Sequence, residues 1–151
     1  MIRFVLTTDE HVEELLLYLH PDMKKEASAI TPIAFDKTIR QTVKEADEAW
    51  TILSDECVVG IFGIRRYSLL SDKGAPWLLT TTRIKEHVKT LLPLTKIALS
   101  YWLNRYTVLE NYVPESYKAS LRWLKWAGFT IHPAIPIGVS GQLIHRIEMR
   151  Q

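Results

Sequence analysis

The hydrophobic pattern divides the chain into alternating strand-like and helix-like segments. Short apolar runs bounded by Gly, Pro or polar residues predict strands, and apolar residues recurring every three or four positions predict helices. The predicted strands are Ile2–Leu6, Trp50–Leu53, Cys57–Ile64, Pro76–Thr81, Thr107–Val113, a segment starting at Phe129, and Gln142–Met149. The predicted helices follow Thr7, cover Ile33–Ala46, run from about Pro93 to Arg105, and cover Ser116–Ala127. The order β-α-α-β-β-β-α-β-α-β-β predicts an α/β (α+β) fold with a mixed central sheet.

Local residue signals predict where several elements begin, end or bend. Thr7 and Glu10 have the spacing of a capping box at the start of the first helix. Gly60 and Gly63 lie inside a predicted strand, which indicates either a bulge or a close backbone approach. Gly128 follows the last helix, where a left-handed C-cap favours glycine.

The connecting segments are less regular. Asp22–Ala29 is polar and predicts a loop or an irregular helix, and Thr31 with Pro32 predicts a helix start. Arg65–Gly74 and Pro133–Gly141 are predicted to be loops. Pro93 is expected to start or kink the long helix that follows. The expected core positions of that helix are Leu94, Ile97, Ala98, Tyr101 and Trp102.

Composition and charge narrow the classes of function. The 151 residues predict one domain, 1–151, and 19 Lys and Arg against 17 Asp and Glu give a net charge of only +2. This balance predicts no nucleic-acid partner. The apolar runs are too short for a membrane span, and we expect a soluble cytoplasmic protein. The single Cys57 excludes an internal disulfide, and the five histidines lack metal-ligand spacing, so no metal is predicted.

The segment Thr107–Thr130 carries a resemblance to a known family. Its order of strand, helix, Gly and Phe resembles the C-terminal half of the GNAT (GCN5-related N-acetyltransferase) fold, and the predicted element order extends the resemblance to nearly the whole chain. The resemblance implies that acetyl-CoA lies where the fourth and fifth strands separate. Its pantetheine would pair with the fourth strand, and its pyrophosphate would rest on a glycine-rich loop before the next helix.

Carried over to this sequence, the resemblance implies a cofactor-binding segment that begins in the fourth strand. The implied residues are Leu78, Leu79, Thr80, Thr81, Thr82 and Arg83. The family loop reads Q/R-x-x-G-x-G/A, whereas Thr81–His87 contains no glycine, so its side chains would crowd a bound phosphate. Two interpretations stay open for this loop, namely a degenerate phosphate site and a capped helix start.

The resemblance also implies catalytic positions in the C-terminal half. Glu110 in the fifth strand is the carboxylate placed for a general base acting on an amine. The family's usual acid, a tyrosine, corresponds to Leu124, which can neither donate nor accept a proton. Tyr117 is the candidate substitute, with Tyr112 as a second. The alternatives are a solvated strand glutamate and tyrosines that only pack.

A narrower resemblance covers the same half of the chain. The residues that carry it are Trp77–Thr81, Leu109–Val113, Arg122–Lys125, Gly128, Gly141, Gln142 and Ile147. Together they are similar to a motif of a small family of tailed-bacteriophage proteins that includes an internal virion protein of a short-tailed coliphage. It implies a phage protein in the host cytoplasm, with virion association and with phage structural or host proteins as partners.

Two functions therefore remain open from the sequence. One is an acetyl-CoA-dependent N-acetyltransferase with a degenerate cofactor loop, and the other is a non-catalytic GNAT-fold scaffold or interaction protein in virion assembly. Trp123 and Trp126 lie three residues apart on the last helix. They predict either core packing or a contact with a partner, including a homodimer.

Overall fold

The computed structural model describes residues 1–21, 23 and 32–151, and their elements follow the predicted order. The strands are β1 Ile2–Leu6, β2 Glu48–Ser54, β3 Cys57–Arg66, β4 Lys73–Thr80, β5 Val108–Pro114, β6 Thr130–Ile131, β7 Ile135–Ile137 and β8 Gln142–Arg150. The helices are α1 Asp9–Leu17, α2 Pro32–Glu45, a 3-10 helix Thr82–Glu86, α3 Val88–Leu103 and α4 Lys118–Ala127. The α/β (α+β) prediction is confirmed. Apart from Met23, the predicted loop Asp22–Ala29 and the Thr31 helix cap lie outside the described residues.

The chain divides into two compact units, and the first, unit 1, comprises Met1–Arg65 and Pro76–Val88. Its strands lie in the order β1, β2, β3 and the end of β4. Strand β2 pairs antiparallel with both β1 and β3. Helices α1 and α2 pack on this sheet because each presents an apolar stripe. The buried cluster that results contains Val12, Leu15, Leu19, Ile39, Leu53, Val58 and Ile61.

The β2–β3 hairpin confirms a close approach at both predicted glycines. A Cβ atom on Gly60 would lie 2.8 Å from the Leu79 carbonyl oxygen. A Cβ atom on Gly63 would overlap the Glu48 carbonyl oxygen and the Trp77 ring. The register shift lies beside Gly60, because Ile52 pairs with Gly60 and Leu53 pairs with Val58, which leaves Val59 as the extra residue of β3. Gly60 therefore shows both predicted features, the irregular register and the close approach, and Gly63 shows the close approach.

The second unit, unit 2, comprises Arg66–Ala75 and Lys89–Gln151. The start of β4 pairs in parallel with β5 through Lys73 and Gly74, and β5 pairs antiparallel with β8 along its whole length. Strands β6 and β7 both pair with β8. Gly128 closes α4 at φ 108°, which confirms the predicted left-handed cap. The buried apolar residues of this unit include Leu91, Leu99, Trp102, Leu109 and Ile147.

The first helix starts one residue later than predicted. The Thr8 hydroxyl accepts a hydrogen bond from the His11 amide at 3.3 Å, and His11 Nδ1 accepts one from the Thr8 amide at 3.1 Å. The Thr7 hydroxyl instead lies 2.9 Å from the Thr51 hydroxyl. Thr7 and Glu10 are therefore not the capping pair, because Thr7 still belongs to the chain leaving β1.

Three further predictions are wrong in detail. Helix α3 begins at Val88, so Pro93 does not start it and lies inside it, the position that the alternative of a kink required. Two of its expected core residues face outward, with Ile97 65% and Tyr101 52% exposed. The predicted loop Arg65–Gly74 is shortened at both ends by β3 and β4, and the predicted loop Pro133–Gly141 contains β7. A periodic pattern locates a helix but leaves its buried face uncertain when both faces are apolar.

Candidate functional site

The predicted cofactor residues of unit 1 occupy the end of β4 and the turn into the 3-10 helix. Trp77 and Leu79 pack against the buried cluster of unit 1, so Leu78 and Thr80 point to the opposite face of the strand. Thr80 and Thr81 are buried, whereas Thr82 is exposed. The strand thus presents few side-chain atoms of its predicted cofactor segment to solvent.

The backbone amides from Thr80 to Ile84 donate within the protein. The Thr80 amide donates to Met23 Sδ at 3.4 Å, and the Thr81 amide donates to the Val59 carbonyl at 2.9 Å. The Thr82 amide donates to the Tyr18 carbonyl at 3.0 Å. The amides of Arg83 and Ile84 donate to the hydroxyl and the carbonyl of Thr81, at 3.3 and 3.2 Å. The Thr80 carbonyl also accepts from the His20 amide at 3.0 Å. A loop that binds pyrophosphate needs amide donors directed at the anion. The amides from Thr80 to Ile84 are already committed to other acceptors.

Thr81 organises this turn. Its side chain is fully buried, and its hydroxyl lies 2.9 Å from the Val58 carbonyl and 3.1 Å from the Val59 carbonyl. The same oxygen accepts the Arg83 amide and so caps the 3-10 helix. The segment therefore has the capped helix start that one of the two open interpretations predicts.

Arg83 is held by three neighbours within unit 1. Its guanidinium donates to Glu14 Oε2 at 2.8 Å and to the Val58 carbonyl at 3.0 Å. The same group lies 4.5 Å from the centre of the Tyr18 ring, as a cation–π pair. Glu14 Oε2 also accepts the Val58 amide at 2.7 Å. These contacts join α1 to β3 and the 3-10 helix, and they direct the Arg83 charge toward Glu14.

In unit 2, Glu110 lies in a row of charges on one face of the sheet. It is only 4% exposed, and its Oε2 atom lies 3.2 Å from Arg146 and 3.5 Å from Lys73. Register places Glu110 opposite Glu148, and alternation puts Arg146 on the same face. We call Lys73, Glu110, His132, Arg146 and Glu148 the charged face. The Glu110 carboxylate is therefore already neutralised by two cations, and its ion pairs join the start of β4 and strand β8 to β5.

The charged face ends in a histidine–glutamate pair that the sequence reasoning missed. His132 Nε2 lies 2.8 Å from Glu148 Oε1, and this hydrogen bond is the main reason that the pKa of Glu148 lies below its usual value. Arg150 and Arg146, at 3.1 and 3.3 Å from Glu148 Oε2, lower that pKa further. The pair depends on the pairing of β6 with β8, which no spacing along the sequence reveals. A carboxylate that orients a half-buried imidazole is a common arrangement for proton transfer.

The candidate tyrosines differ in position. Tyr117 is half-buried at the residue preceding α4, and its side chain makes no capping hydrogen bond. Tyr112 shares the face of β5 that carries Glu110 and is exposed. Tyr67 was not predicted, yet its hydroxyl donates to the Glu110 carbonyl at 3.0 Å. Partial burial and then the charge of Glu110 raise the pKa of Tyr67 to about 12.

In residues 1–21, 23 and 32–151, no group of three His, Cys, Asp or Glu side chains is arranged to hold a metal ion. Over the same residues, no helix combines the length and the apolar character that crossing a membrane requires.

Solved structures with similar folds are acetyltransferases. Ard1 from Thermoplasma volcanium has a TM-score of 0.73 at 14% identity over 99% of this chain and 97% of its own. A GNAT-family acetyltransferase from Streptococcus pneumoniae scores 0.68 at 11% identity over 99% of each chain. Spermidine N-acetyltransferase from Vibrio cholerae, in complex with CoA and spermine, has a TM-score of 0.70 at 9% identity over 99% of this chain and 95% of its own.

Sequence comparison adds no relative to these structures. No protein-family model matches the chain, and no curated protein sequence matches it. The likeness therefore rests on the course of the backbone, which is shared over nearly the full length at very low identity. The chain has the GNAT acetyltransferase fold.

Proposed function

We propose that this chain is a phage protein that uses the GNAT fold as a non-catalytic scaffold or interaction module in virion assembly. The observation that carries the proposal is the internal use of every backbone amide from Thr80 to Ile84. The implied pyrophosphate site needs those donors, and the Thr81–His87 loop has no glycine that would let a phosphate approach the backbone. The amides from Thr80 to Ile84, as they are bonded, offer no donor to the pyrophosphate of acetyl-CoA.

The phage assignment is supported by the sequence motifs of the C-terminal half. The strand Leu109–Val113, the helix ending near Lys125 and the late Gly141–Gln142 pair resemble the bacteriophage family that includes an internal virion protein. A protein of that kind acts in the host cytoplasm through contacts with phage structural proteins, host proteins or a second copy of itself.

An N-acetyltransferase is the second candidate, and the pair His132–Glu148 favours it. Bound acetyl-CoA would supply an activated acetyl group to such an enzyme. Glu148 fixes the His132 ring through Nε2, which leaves Nδ1 to accept a proton from an ammonium group. Glu110 is already paired with Lys73 and Arg146, so it would act in such an enzyme by positioning these strands and not as the general base. Leu124 supplies no acid for a leaving thiolate, and Tyr117 would have to do so.

Thermal unfolding with acetyl-CoA separates the two candidates. A ligand at a hundredfold excess over its dissociation constant stabilises the folded state by about 2.7 kcal/mol, which shifts the midpoint by several degrees. The scaffold proposal predicts no shift in millimolar acetyl-CoA beyond that in sodium sulfate of the same ionic strength, which controls for general anion effects. A shift specific to acetyl-CoA would overturn it in favour of the acetyltransferase.

A direct test of the scaffold proposal follows the chain during infection. A tagged copy should co-purify with assembling particles and should still do so in the His132→Ala variant, because the proposed role needs no proton transfer. Absence of the chain from assembly intermediates would contradict the proposed role. Loss of association in His132→Ala, with the fold retained by circular dichroism, would also contradict it.

A further inference from the structure

The small net charge of the chain conceals a large difference between its two units. Unit 1 contains nine Lys and Arg against thirteen Asp and Glu, a formal charge of −4. Unit 2 contains ten Lys and Arg against four Asp and Glu, a formal charge of +6. Charge asymmetry of this size within one chain is typical of proteins that bind a polyanion.

The excess positive charge of unit 2 is concentrated on its helices. Neither α3 nor α4 contains an acidic residue. On α4, Lys118, Arg122 and Lys125 have the spacing i, i+4, i+7, which aligns them along one side over roughly 10 Å. All three are exposed, and we call them the basic stripe.

The basic stripe has no internal counter-charge. Among the residues that the structure describes, none of its three side chains forms an ion pair or a hydrogen bond with a carboxylate. The arginines of unit 1 behave differently, since each contacts a glutamate. These pairs are Arg3 with Glu56, Arg40 with Glu13, Arg65 with Glu45 and Arg83 with Glu14. The stripe thus combines a high local positive potential with donors that remain available to a ligand.

An exposed aromatic ring adjoins the stripe. Trp126 lies one turn beyond Arg122 on α4, at the spacing i, i+4, and is 43% exposed. Lys96 of α3 lies 4.3 Å from the centre of its ring, so this cation extends the positive surface across the two helices. Tyr101, one turn beyond Ile97 on the exposed side of α3, is a second exposed ring.

We propose that the basic stripe, together with Lys96 and Trp126, binds single-stranded nucleic acid. The cations would contact successive phosphates, and the indole would stack on an unpaired base, which is the usual combination in sequence-tolerant binding of single strands. An anionic membrane is a poorer fit, because Leu121, Leu124 and Ala127 turn the apolar side of α4 inward and leave little to insert. The proposal does not depend on the scaffold function.

The test is fluorescence anisotropy of a labelled twenty-nucleotide oligothymidine at about 50 mM salt, followed by a salt titration. We expect a dissociation constant in the micromolar range. The triple variant Lys118→Ala, Arg122→Ala and Lys125→Ala should reduce the salt slope of log K by about two, since each single-strand phosphate contact contributes about 0.7. Trp126→Ala should weaken binding about tenfold through lost stacking.

A matched control removes three cations from unit 1. The variant Arg3→Ala, Arg40→Ala and Arg65→Ala has the same net charge as the stripe variant and should bind the oligonucleotide as the original chain does. Circular dichroism melts establish that all variants are folded. The proposal is overturned if the original chain does not bind at low salt, or if the control variant weakens binding equally. Equal binding of a duplex, or binding only to phosphatidylserine vesicles, overturns the single-strand assignment.

Discussion

Tyr67 is a residue whose ionisation reports directly on its surroundings. Its pKa is raised to about 12, first by partial burial and then by the nearby charge of Glu110. Because the folded pKa exceeds the unfolded value of about 10, the contribution to stability is complete below pH 10 and is lost as pH rises toward 12. An ultraviolet titration of the original chain minus that of Tyr67→Phe should show one phenol with a midpoint near pH 12. A difference midpoint near pH 10 would contradict the described hydrogen bond to the Glu110 carbonyl.

Glu148 offers the opposite case, since its pKa is lowered by the hydrogen bond from His132. A lowered folded pKa stabilises the protein above the unfolded value of about 4.3, and this stability is lost as pH falls through the folded value. Replacing His132 with Ala should raise the Glu148 pKa toward its ordinary value. Carboxyl carbon NMR measures this pKa directly, and Glu13, whose low pKa depends on Arg40, serves as the unaffected reference. An unchanged Glu148 pKa in the variant would show that the pair does not form.

At the scale of elements, the contacts of Arg83 predict a structural role. Removing its side chain leaves Glu14 without its cation and the Val58 carbonyl without one donor, in partly buried surroundings. We expect Arg83→Ala to lower the free energy of unfolding by about 1–2 kcal/mol. The matched variant is Arg40→Ala, which breaks a more exposed pair with Glu13 on the same helix and should cost less than about 1 kcal/mol. Urea denaturation of both variants provides the comparison, and equal costs would contradict the role.

The sequence predicts a structural feature correctly when that feature depends on residues adjacent in the chain, and misses it when the feature depends on packing between elements. Strand β1 and the left-handed cap at Gly128 depend on a few adjacent residues, so the sequence predicts both correctly. The His132–Glu148 contact depends on the pairing of two strands, and the outward position of Tyr101 depends on which side of α3 packs, so neither is visible in the pattern. The internal use of the amides at Thr80–Ile84 likewise requires Tyr18, Met23 and Val59 to reach the end of β4 and the turn after it.

For the whole molecule, the sequence predicts one domain, whereas the backbone divides into two compact units. Substituting a core residue of one unit tests whether the chain unfolds as one body. Leu15 is fully buried in unit 1, and Leu15→Ala should lower the free energy of unfolding by about 2–5 kcal/mol. If the chain is a single cooperative domain, hydrogen exchange should accelerate equally at protected amides of β2 and β3 and at those of β5 and β8.

Leu109→Ala provides the reciprocal variant, because Leu109 is fully buried in unit 2. If the chain is a single domain, each variant should accelerate hydrogen exchange in both units by the same factor. That factor is about tenfold for each 1.4 kcal/mol by which the substitution lowers the free energy of unfolding. Exchange that accelerates only within the substituted unit would show that the two units open independently, and the chain would then be two folding units that share strand β4. Fluorescence and circular dichroism melts should coincide for both variants in the single-domain case, since all parts of the chain would unfold in one transition.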